Sequence, residues 1–572
     1  MTITTSNRLT AAQAAHQAGR LAEAEAGYRH VLAVDPDHPD ALHWLGVIRH
    51  QCGDHGEAVV LMSRAIALRG DTYKYHYNRA AAFQAQGRWD DALAGYRAAA
   101  RLAPTVAAVG VALAGLLHRL NRLDEATTAY RAVLEQTPED SAVLFALGGV
   151  FQAQGLLEDA EESYRRGLDH RPDHVPTLVN LGTVLHARGR FDQAEDCHRR
   201  AATLEPGFAP AHLNLGIALQ AQGRVFDAAK SYRRALALTP TDAAAHFNLG
   251  TAVQAVGWLD EATRCYRDAC ACAPDYAEAH NNLGQCLEAR GLLPEAVAAY
   301  RRACALRPDQ VAFHNNLACV LYLLHRNKPE AARLEAVAWR EAHPDQPLAR
   351  HMVEALGATG AVPPQPPARY VQTLFDGFAD SFDRELLGIG YCGPRLMAEA
   401  LAHALPTPQA DRVVLDAGCG TGLCAERLRP WARTLIGVDV SPRMLEHARR
   451  RGLYDRVLDA DLDAYLAAHP NSCDIIVAAD VLCYVGDLAL LMAGFSTALR
   501  SGGLLAFTVE QAPTPDIPFH LAAHGRYLHG EAALTTLMAR HGFELLRVSV
   551  DTLRNEDGQP SPNLVILALL RS

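Results

Sequence analysis

A strict 34-residue period runs through the first half of this chain and limits its folding more than any other feature. Glycines fall at Gly19, Gly53, Gly87, Gly155, Gly189, Gly223, Gly257 and Gly291, with Asn121 in the one remaining slot. Alanines follow at Ala24, Ala58, Ala92, Ala126, Ala160, Ala194, Ala228, Ala262 and Ala296. Prolines recur at Pro36, Pro104, Pro138, Pro172, Pro206, Pro240, Pro274 and Pro308. Between them stand near-copies such as SYRRALALTP (231–240) and AYRRACALRP (299–308). Self-similarity at this period marks a stack of equivalent units, each burying its apolar side on its neighbours, and not one closed core.

These repeats resemble the tetratricopeptide family, which implies two antiparallel helices per unit and an all-α superhelix of about ten units over residues 1–344. The physics agrees. A small Ala lets paired helices approach, the Gly closes the first helix, and the Pro ends the second. The first and last units are degraded, as capping repeats are. An array of this kind carries no chemistry of its own and offers a groove to a peptide or protein. Asn180, Asn214, Asn248, Asn282 and Asn316 hold one repeat position in five successive units, with Asn78 further upstream. An Asn amide offers a donor and an acceptor to peptide backbone. A similar ladder occurs in the repeat array of the protein O-GlcNAc transferases, and that resemblance implies peptide binding here. The alternative is that these Asn residues tighten the joints between units.

Repeat regularity decays after Pro308, and residues 361–368 read AVPPQPPA, a semi-rigid spacer. The expected linker covers 345–369 and a second domain covers 370–572, in keeping with a length that exceeds a single core. Formal charge is −10, and residues 370–572 hold 17 Arg against 24 Asp and Glu, a net of −7. That balance argues against a nucleic acid held through its phosphates. No charged leader precedes an apolar core, and no apolar run reaches the length of a membrane span. Thirteen cysteines, Cys270/Cys272 and Cys419/Cys424 among them, lack disulfide or zinc spacing and read as small apolar residues. The expectation is a cytoplasmic protein without a metal site.

Chemistry concentrates in residues 413–422, VVLDAGCGTG. An apolar strand ends at Asp416, and Gly418, Gly420 and Gly422 turn the chain into a helix expected over 423–428. Glycine there allows positive φ and close approach of backbone to a ligand, and free N–H groups at the helix start favour an anion. A second strand, 434–438, ends at Asp439, whose carboxylate can take both hydroxyls of a ribose. These are the marks of a nucleoside-cofactor site. The dinucleotide fingerprint is spaced GxGxxG, so GxGxG makes a nicotinamide enzyme the weaker rival.

With GVDVSPRML (437–445) following, the segment resembles the class I S-adenosylmethionine-dependent methyltransferases, whose first motif looks like DxGxGxG. The resemblance implies a Rossmann-like α/β domain with a seven-stranded sheet. Strands are expected at 412–416, 434–438, 456–460, 474–479, 504–509, 543–550 and 563–570, the last two forming a hairpin. It also implies that S-adenosylmethionine is the cofactor, with Asp416, Gly418, Gly420 and Gly422 around its methionine part and Asp439 on the ribose. Asp461 and Leu462 would sit at the adenine, with Asp459 a competitor, and Asp480 would meet the amino group. Helix N-capping is the alternative for Asp461 and Asp480. The segment LFDGFADSFDRELLGIG (374–390) looks like the lid that precedes this motif in many small-molecule methyltransferases, although Phe375, Phe378 and Phe382 at helical spacing suit core packing. The whole arrangement resembles bacterial methyltransferases that carry tetratricopeptide repeats ahead of the catalytic domain.

The methyl acceptor is approached by elimination. AADVLCYVGD after the fourth strand lacks (D/N)PPY, no double-glutamate loop is present, no lysine follows Lys328, and no CxxxCxxC cluster occurs. HGRYLHGEAAL (524–534) holds the candidate catalytic residues: His529 as a base, Arg526 as a carboxylate clamp, and Tyr527. His520, His524 and Tyr484 are weaker candidates, and a loop with a capping histidine is the alternative. The expected function is a methyltransferase whose repeats recruit a protein substrate or partner. The rival is an interaction scaffold whose cofactor domain is inactive or senses the cofactor.

Overall fold

The computed structural model describes residues 2–359, 362–367, 369–556 and 559–571. Ala361 and Ala368, which bound the proline-rich stretch, lie outside the described residues. Packing divides the chain into two compact units, Met1–Val256 and Gly257–Ser572. That division falls inside the repeats and not at 345–369.

In the first unit, fifteen helices run from Thr2–Gln17 to Ala243–Ala255. The repeat glycines take positive φ, as at Gly155 (75°) and Gly189 (74°), and Asn121 adopts the same conformation at 57°. A second set of glycines lies inside the helices, where a Cβ on Gly182 would stand 2.5 Å from His198 and one on Gly216 2.4 Å from Tyr232. The repeat alanines, Ala58 and Ala92 among them, are fully buried.

The second unit begins with helices Leu259–Cys272, Ala277–Ala289, Leu293–Leu306, Val311–Asn327 and Pro329–Ala342. The stretch expected as linker opens with another helix, Pro347–Ala355. The Gln346 side chain caps it by accepting from Leu348 N, and Pro347 occupies its first turn. Leu348, Met352 and Ala355 give it a buried face. A count of prolines does not detect this, because capping and periodicity decide it.

After helices Tyr370–Phe378, Phe382–Gly388 and Gly393–Ala404 comes a sheet that has, among the described residues, nine strands where seven are expected. They are β1 (Arg412–Ala417), β2 (Ala432–Asp439), β3 (Arg456–Asp459), β4 (Cys473–Ala478), β5 (Leu499–Gln511), β6 (His520–Leu521), β7 (Tyr527–His529), β8 (Phe543–Glu556) and β9 (Gln559–Leu570). The seven expected strands are present. The additional pair, β6 and β7, occupies a segment expected as loop, and strands of two and three residues are too short to show a period. The order is β3-β2-β1-β4-β5-β7-β6, with β9 antiparallel to both β5 and β8. Strands β3, β2, β1, β4 and β5 are parallel neighbours.

Alternate residues serve opposite faces of this sheet. Leu415, Ile436, Ile476 and Phe507 join one core cluster, and Val414, Leu435, Val477 and Ala506 join the other. Helices cover both faces, and strand order reverses direction between β1 and β4, the switch point at whose carboxyl ends ligands gather in such sheets. Among the described residues, no helix is long and apolar enough to cross a membrane.

Candidate active site

A cavity of about 580 Å³ opens at that switch point. Asp416, Gly418, Gly420, Asp439, Asp461, Leu462, Asp480 and Arg526 all line it. The glycine loop explains why. Gly418, Gly420 and Gly422 have φ of 72°, 53° and 86°. A Cβ on Gly418 would press 2.5 Å from Val481, whereas one on Gly420 would meet only Phe382, at 4.0 Å. Gly420 is therefore the place where backbone faces open space. Gly422 does not line the cavity. It packs against Tyr454, 2.9 Å from its virtual Cβ, so its role is to let the loop turn. The expected helix over 423–428 shortens to one turn, Ala425–Leu428.

Asp439 braces the loop. Gly420 N–H donates to its Oδ2 and Ser441 N–H to its Oδ1, both at 2.9 Å. Burial pushes this carboxyl up, against the pull of those backbone donors. Asp416 is buried and accepts from the Tyr454 hydroxyl at 2.6 Å. Burial raises its pKa to about 7. Asp461 both lines the cavity and caps the helix Leu462–Ala468, accepting from Ala464 N at 3.1 Å. The capping role weighed for Asp461 is present, and its side of the helix start also faces the cavity. Asp459 does not line the cavity.

Asp480 has φ of 59°, its N–H donates to Thr508 Oγ1 at 2.8 Å, and it caps no helix. Burial raises its pKa although Arg554 pairs with it. Arg554 also donates to Glu510 at 2.8 Å, and Glu510 pairs in turn with Arg526 and, at 3.3 Å, with His524. The result is a buried chain of alternating charges with Asp480, Arg526 and Arg554 on the cavity wall. Neither Glu510 nor Arg554 carries a sequence signal, since each lies near the end of a strand outside any motif.

The structure separates the three candidate catalytic residues. Arg526 reaches the cavity, but Tyr527 and His529 do not. His529 is buried, its Nε2 bonded to the Gly486 carbonyl at 3.1 Å, and burial lowers its pKa to about 4. It is a neutral packing residue and not a base poised at the cavity. The fully buried Tyr527 ring packs under Gly486, where a Cβ would come within 2.7 Å of it. Alternation along β7 is the reason: Arg526 enters the strand facing the site, and the strand then carries Tyr527 and His529 into the interior. His520 lies in β6, exposed.

Phe375 and Phe382 line the cavity and so do more than pack the core. They meet edge to face at 5.8 Å, and Phe375 meets Tyr484, another wall residue, at 5.2 Å. Carboxylates on and between the two helices that carry them tie this segment to the glycine loop and to the helix Pro442–Arg451. Asp376 accepts from Ser441 Oγ at 2.6 Å, Asp380 pairs with Arg443 and His447, and Asp383 accepts from Thr421 Oγ1 at 2.5 Å and pairs with Arg451. Behind them stand the last repeat helices. His351 Nε2 donates to the Gly525 carbonyl at 2.7 Å, and its ring lies 4.0 Å from that of Tyr370 on the cavity wall. Tyr322 meets His524 edge to face at 6.0 Å.

Away from this site, the Asn ladder joins consecutive repeats. Within the first unit Asn78 bonds His43 at 2.8 Å and Asn180 donates to the Tyr164 hydroxyl at 3.4 Å. Within the second, Asn282 donates to the Tyr266 hydroxyl at 3.4 Å and Asn316 to Asn281 Oδ1 at 2.8 Å. Asn214 and Asn248 are half-buried.

Comparison with known proteins agrees with both halves. Residues 392–548 match a methyltransferase domain, residues 9–71 a tetratricopeptide repeat, and residues 106–346 the C-terminal domain of cilia and flagella-associated protein 70. Methyltransferase-like protein 27 of Homo sapiens is 44% identical over 85 residues, 15% of this chain and 35% of its own. A ubiquinone biosynthesis O-methyltransferase of Thiobacillus denitrificans is 33% identical over 106 residues, 18% of this chain and 45% of its own. The chain thus spans less than half the length of these relatives. Among solved structures, MamA is 26% identical, covering 28% of this chain and 95% of its own with a TM-score of 0.27. The chain carries tetratricopeptide repeats in its N-terminal part and, in its C-terminal part, a methyltransferase domain of the class I α/β fold.

Proposed function

We propose that this protein is an S-adenosylmethionine-dependent methyltransferase in the cytoplasm, with a repeat array over 1–344 that recruits a protein substrate or partner and a catalytic domain over 370–572. The observation that carries the reading is the braced loop: Gly420 opens onto the cavity while its N–H holds Asp439 in place. Each Asp439 oxygen accepts one backbone N–H, which leaves lone pairs for two ribose hydroxyls. Asp461 and Leu462, which line the same cavity, would take the purine, and Asp416 and Asp480 would offer carboxylates to a cationic amino-acid end. A volume of about 580 Å³ suits a nucleoside cofactor. When bound, S-adenosylmethionine supplies a methyl group on a sulfonium sulfur, open to in-line displacement by the acceptor.

The chain's own contribution is alignment and exclusion of water. Phe375, Phe382 and Tyr484 supply apolar wall, and Arg526, which lines the cavity and pairs with Glu510, would orient an acceptor. The O-methyltransferase among the relatives favours an oxygen acceptor. The Asn ladder would hold the recruited chain by its backbone, for which the half-buried Asn214 and Asn248 are the best placed.

Calorimetry with S-adenosylmethionine, followed by transfer of labelled methyl in lysate resolved by size, tests the reading. Label on macromolecules supports recruitment, and label on small molecules alone would reduce the repeats to scaffolding. Binding without any label would favour a cofactor-sensing scaffold. Replacing Asn214, Asn248 and Asn282 with Ala should weaken partner capture and leave cofactor affinity unchanged.

A further inference from the structure

Gly377 stands inside the helix Tyr370–Phe378, where propensity alone disfavours glycine. Its surroundings account for it. A Cβ there would lie 2.9 Å from Val311 Cγ1 and 3.0 Å from Asn315 Nδ2, both on the repeat helix Val311–Asn327. Tyr370 is seven residues earlier and so on the same face, with its ring 4.0 Å from that of His351 on the helix Pro347–Ala355. Phe375 is two residues from Gly377, a rotation of about 200°, and it lines the cavity at the switch point together with Val371 and Gln372. The helix is thus wedged between the last repeats and the cavity, with one face for each.

Asn315 sets this contact apart. Its equivalent one repeat earlier, Asn281, accepts from Asn316 Nδ2 at 2.8 Å and donates from its own Nδ2 to Asn282 at 3.2 Å. Asn315 has no such neighbour, because Arg350 follows Asn316 at the repeat spacing and donates its Nε to the Pro344 carbonyl. Both amide atoms of the buried Asn315 are shut off from solvent and unpartnered beside Gly377. Seating the helix there takes water from a donor and an acceptor without replacing it, which opposes closure. The ring contact with His351 and the bond from Ser441 to Asp376 favour closure. The two tendencies meet in a helix that walls the cavity.

We propose that Val311 and Asn315 are positioning residues for the donor site: through Gly377 they seat the helix that carries Phe375, and the unpartnered Asn315 amide keeps that helix free to lift for cofactor exchange. The assignment rests on the reading that this cavity holds the methyl donor. Hydrogen exchange of residues 370–378 in the full chain reads lifting of the helix, and surface plasmon resonance reads S-adenosylhomocysteine dissociation. Gly377→Ala should speed both roughly fivefold or more, although the better helix propensity of Ala would by itself slow the exchange. Adding Val311→Ala leaves the new Cβ 3.7 Å from the Cβ of residue 311, an ordinary contact, and should return both rates to within about twofold of the parent. Asn315→Leu, close in size and without polar side-chain atoms, should slow both roughly threefold or more. Exchange in the helix Leu293–Leu306 should stay within about twofold in every variant. Unchanged exchange of 370–378 in Gly377→Ala, no recovery with Val311→Ala, exchange no slower in Asn315→Leu, or an equal rise in Leu293–Leu306 would each overturn the proposal. If S-adenosylhomocysteine fails to bind the parent chain, the donor reading falls, and exchange without ligand still decides the seat.

Discussion

Gly189 sits at φ 74° with nothing within 4 Å of where a Cβ would stand. Its replacement by Ala tests backbone conformation alone and should cost about 1 kcal/mol in urea unfolding. Asn should cost less, because Asn121 holds the equivalent slot at φ 57°. That equivalence was legible in the period itself. His529 was not. Its folded pKa is about 4 against an ordinary 6.5, so below pH 6.5 the unfolded chain takes up a proton that the folded chain refuses. Stability is therefore lost as pH falls from 6.5 towards 4, by about 2 kcal/mol at pH 5. Asp416, raised to about 7, works in the opposite sense, so the comparison needs a variant. His529→Gln should remove a pH dependence of that size between pH 7 and 5 in denaturant unfolding. An unchanged difference between parent and variant at the two pH values would count against a buried neutral imidazole.

The aromatic helices Tyr370–Phe378 and Phe382–Gly388 show what a pattern does and does not convey about an element. Helical spacing of Phe375 and Phe382 was visible, but spacing gives the same signal for core and for cavity wall. The carboxylates between them decide the matter. Asp383 ties its helix to Thr421, inside the loop that Asp439 braces, and to Arg451. These groups are partly exposed, so each contributes modestly. Asp383→Ala should weaken S-adenosylhomocysteine binding about threefold to tenfold, and the loss should shrink at high salt as screening removes the parent's advantage. Calorimetry at two ionic strengths reads both, and equal affinities at low salt would rule the latch out. The short β6 and β7 were invisible in sequence for another reason: they exist because β5 outruns β4, which pairs with it as far as Phe507, so that β7 takes up the same edge at Glu510 and Gln511, opposite β9.

At the scale of the molecule, composition marks a break at the proline-rich stretch, but packing does not. His351 is buried against Gly525 and Tyr370, and Asn315 lies 3.0 Å from where a Cβ on Gly377 would stand. A fragment of residues 257–572 should therefore unfold in one cooperative step. A fragment of 370–572 would expose Tyr370 and lose the support of the Arg526 loop. We expect it to bind a hydrophobic dye and to lose at least tenfold in S-adenosylhomocysteine affinity. Equal stability and affinity of the two fragments would show that the last repeats are dispensable. In the longer fragment, His351→Ala should lower the melting temperature, and His351→Gln, which can still donate to Gly525, should recover part of the loss.

Sequence alone determined the two architectures and the position of the glycine loop, because both are local. A 34-residue period and a strand–glycine–strand–aspartate run follow from backbone conformation and alternation within short stretches. Tertiary structure decided which side chains share a cavity. Arg554 and Asp480 are 74 residues apart in the chain and touch only once β8 is laid beside β9 and β9 beside β5. It also decided that Tyr527 and His529 turn inward while Arg526 faces the site, since the side of a strand that meets a cavity depends on sheet neighbours and not on the residue's own chemistry.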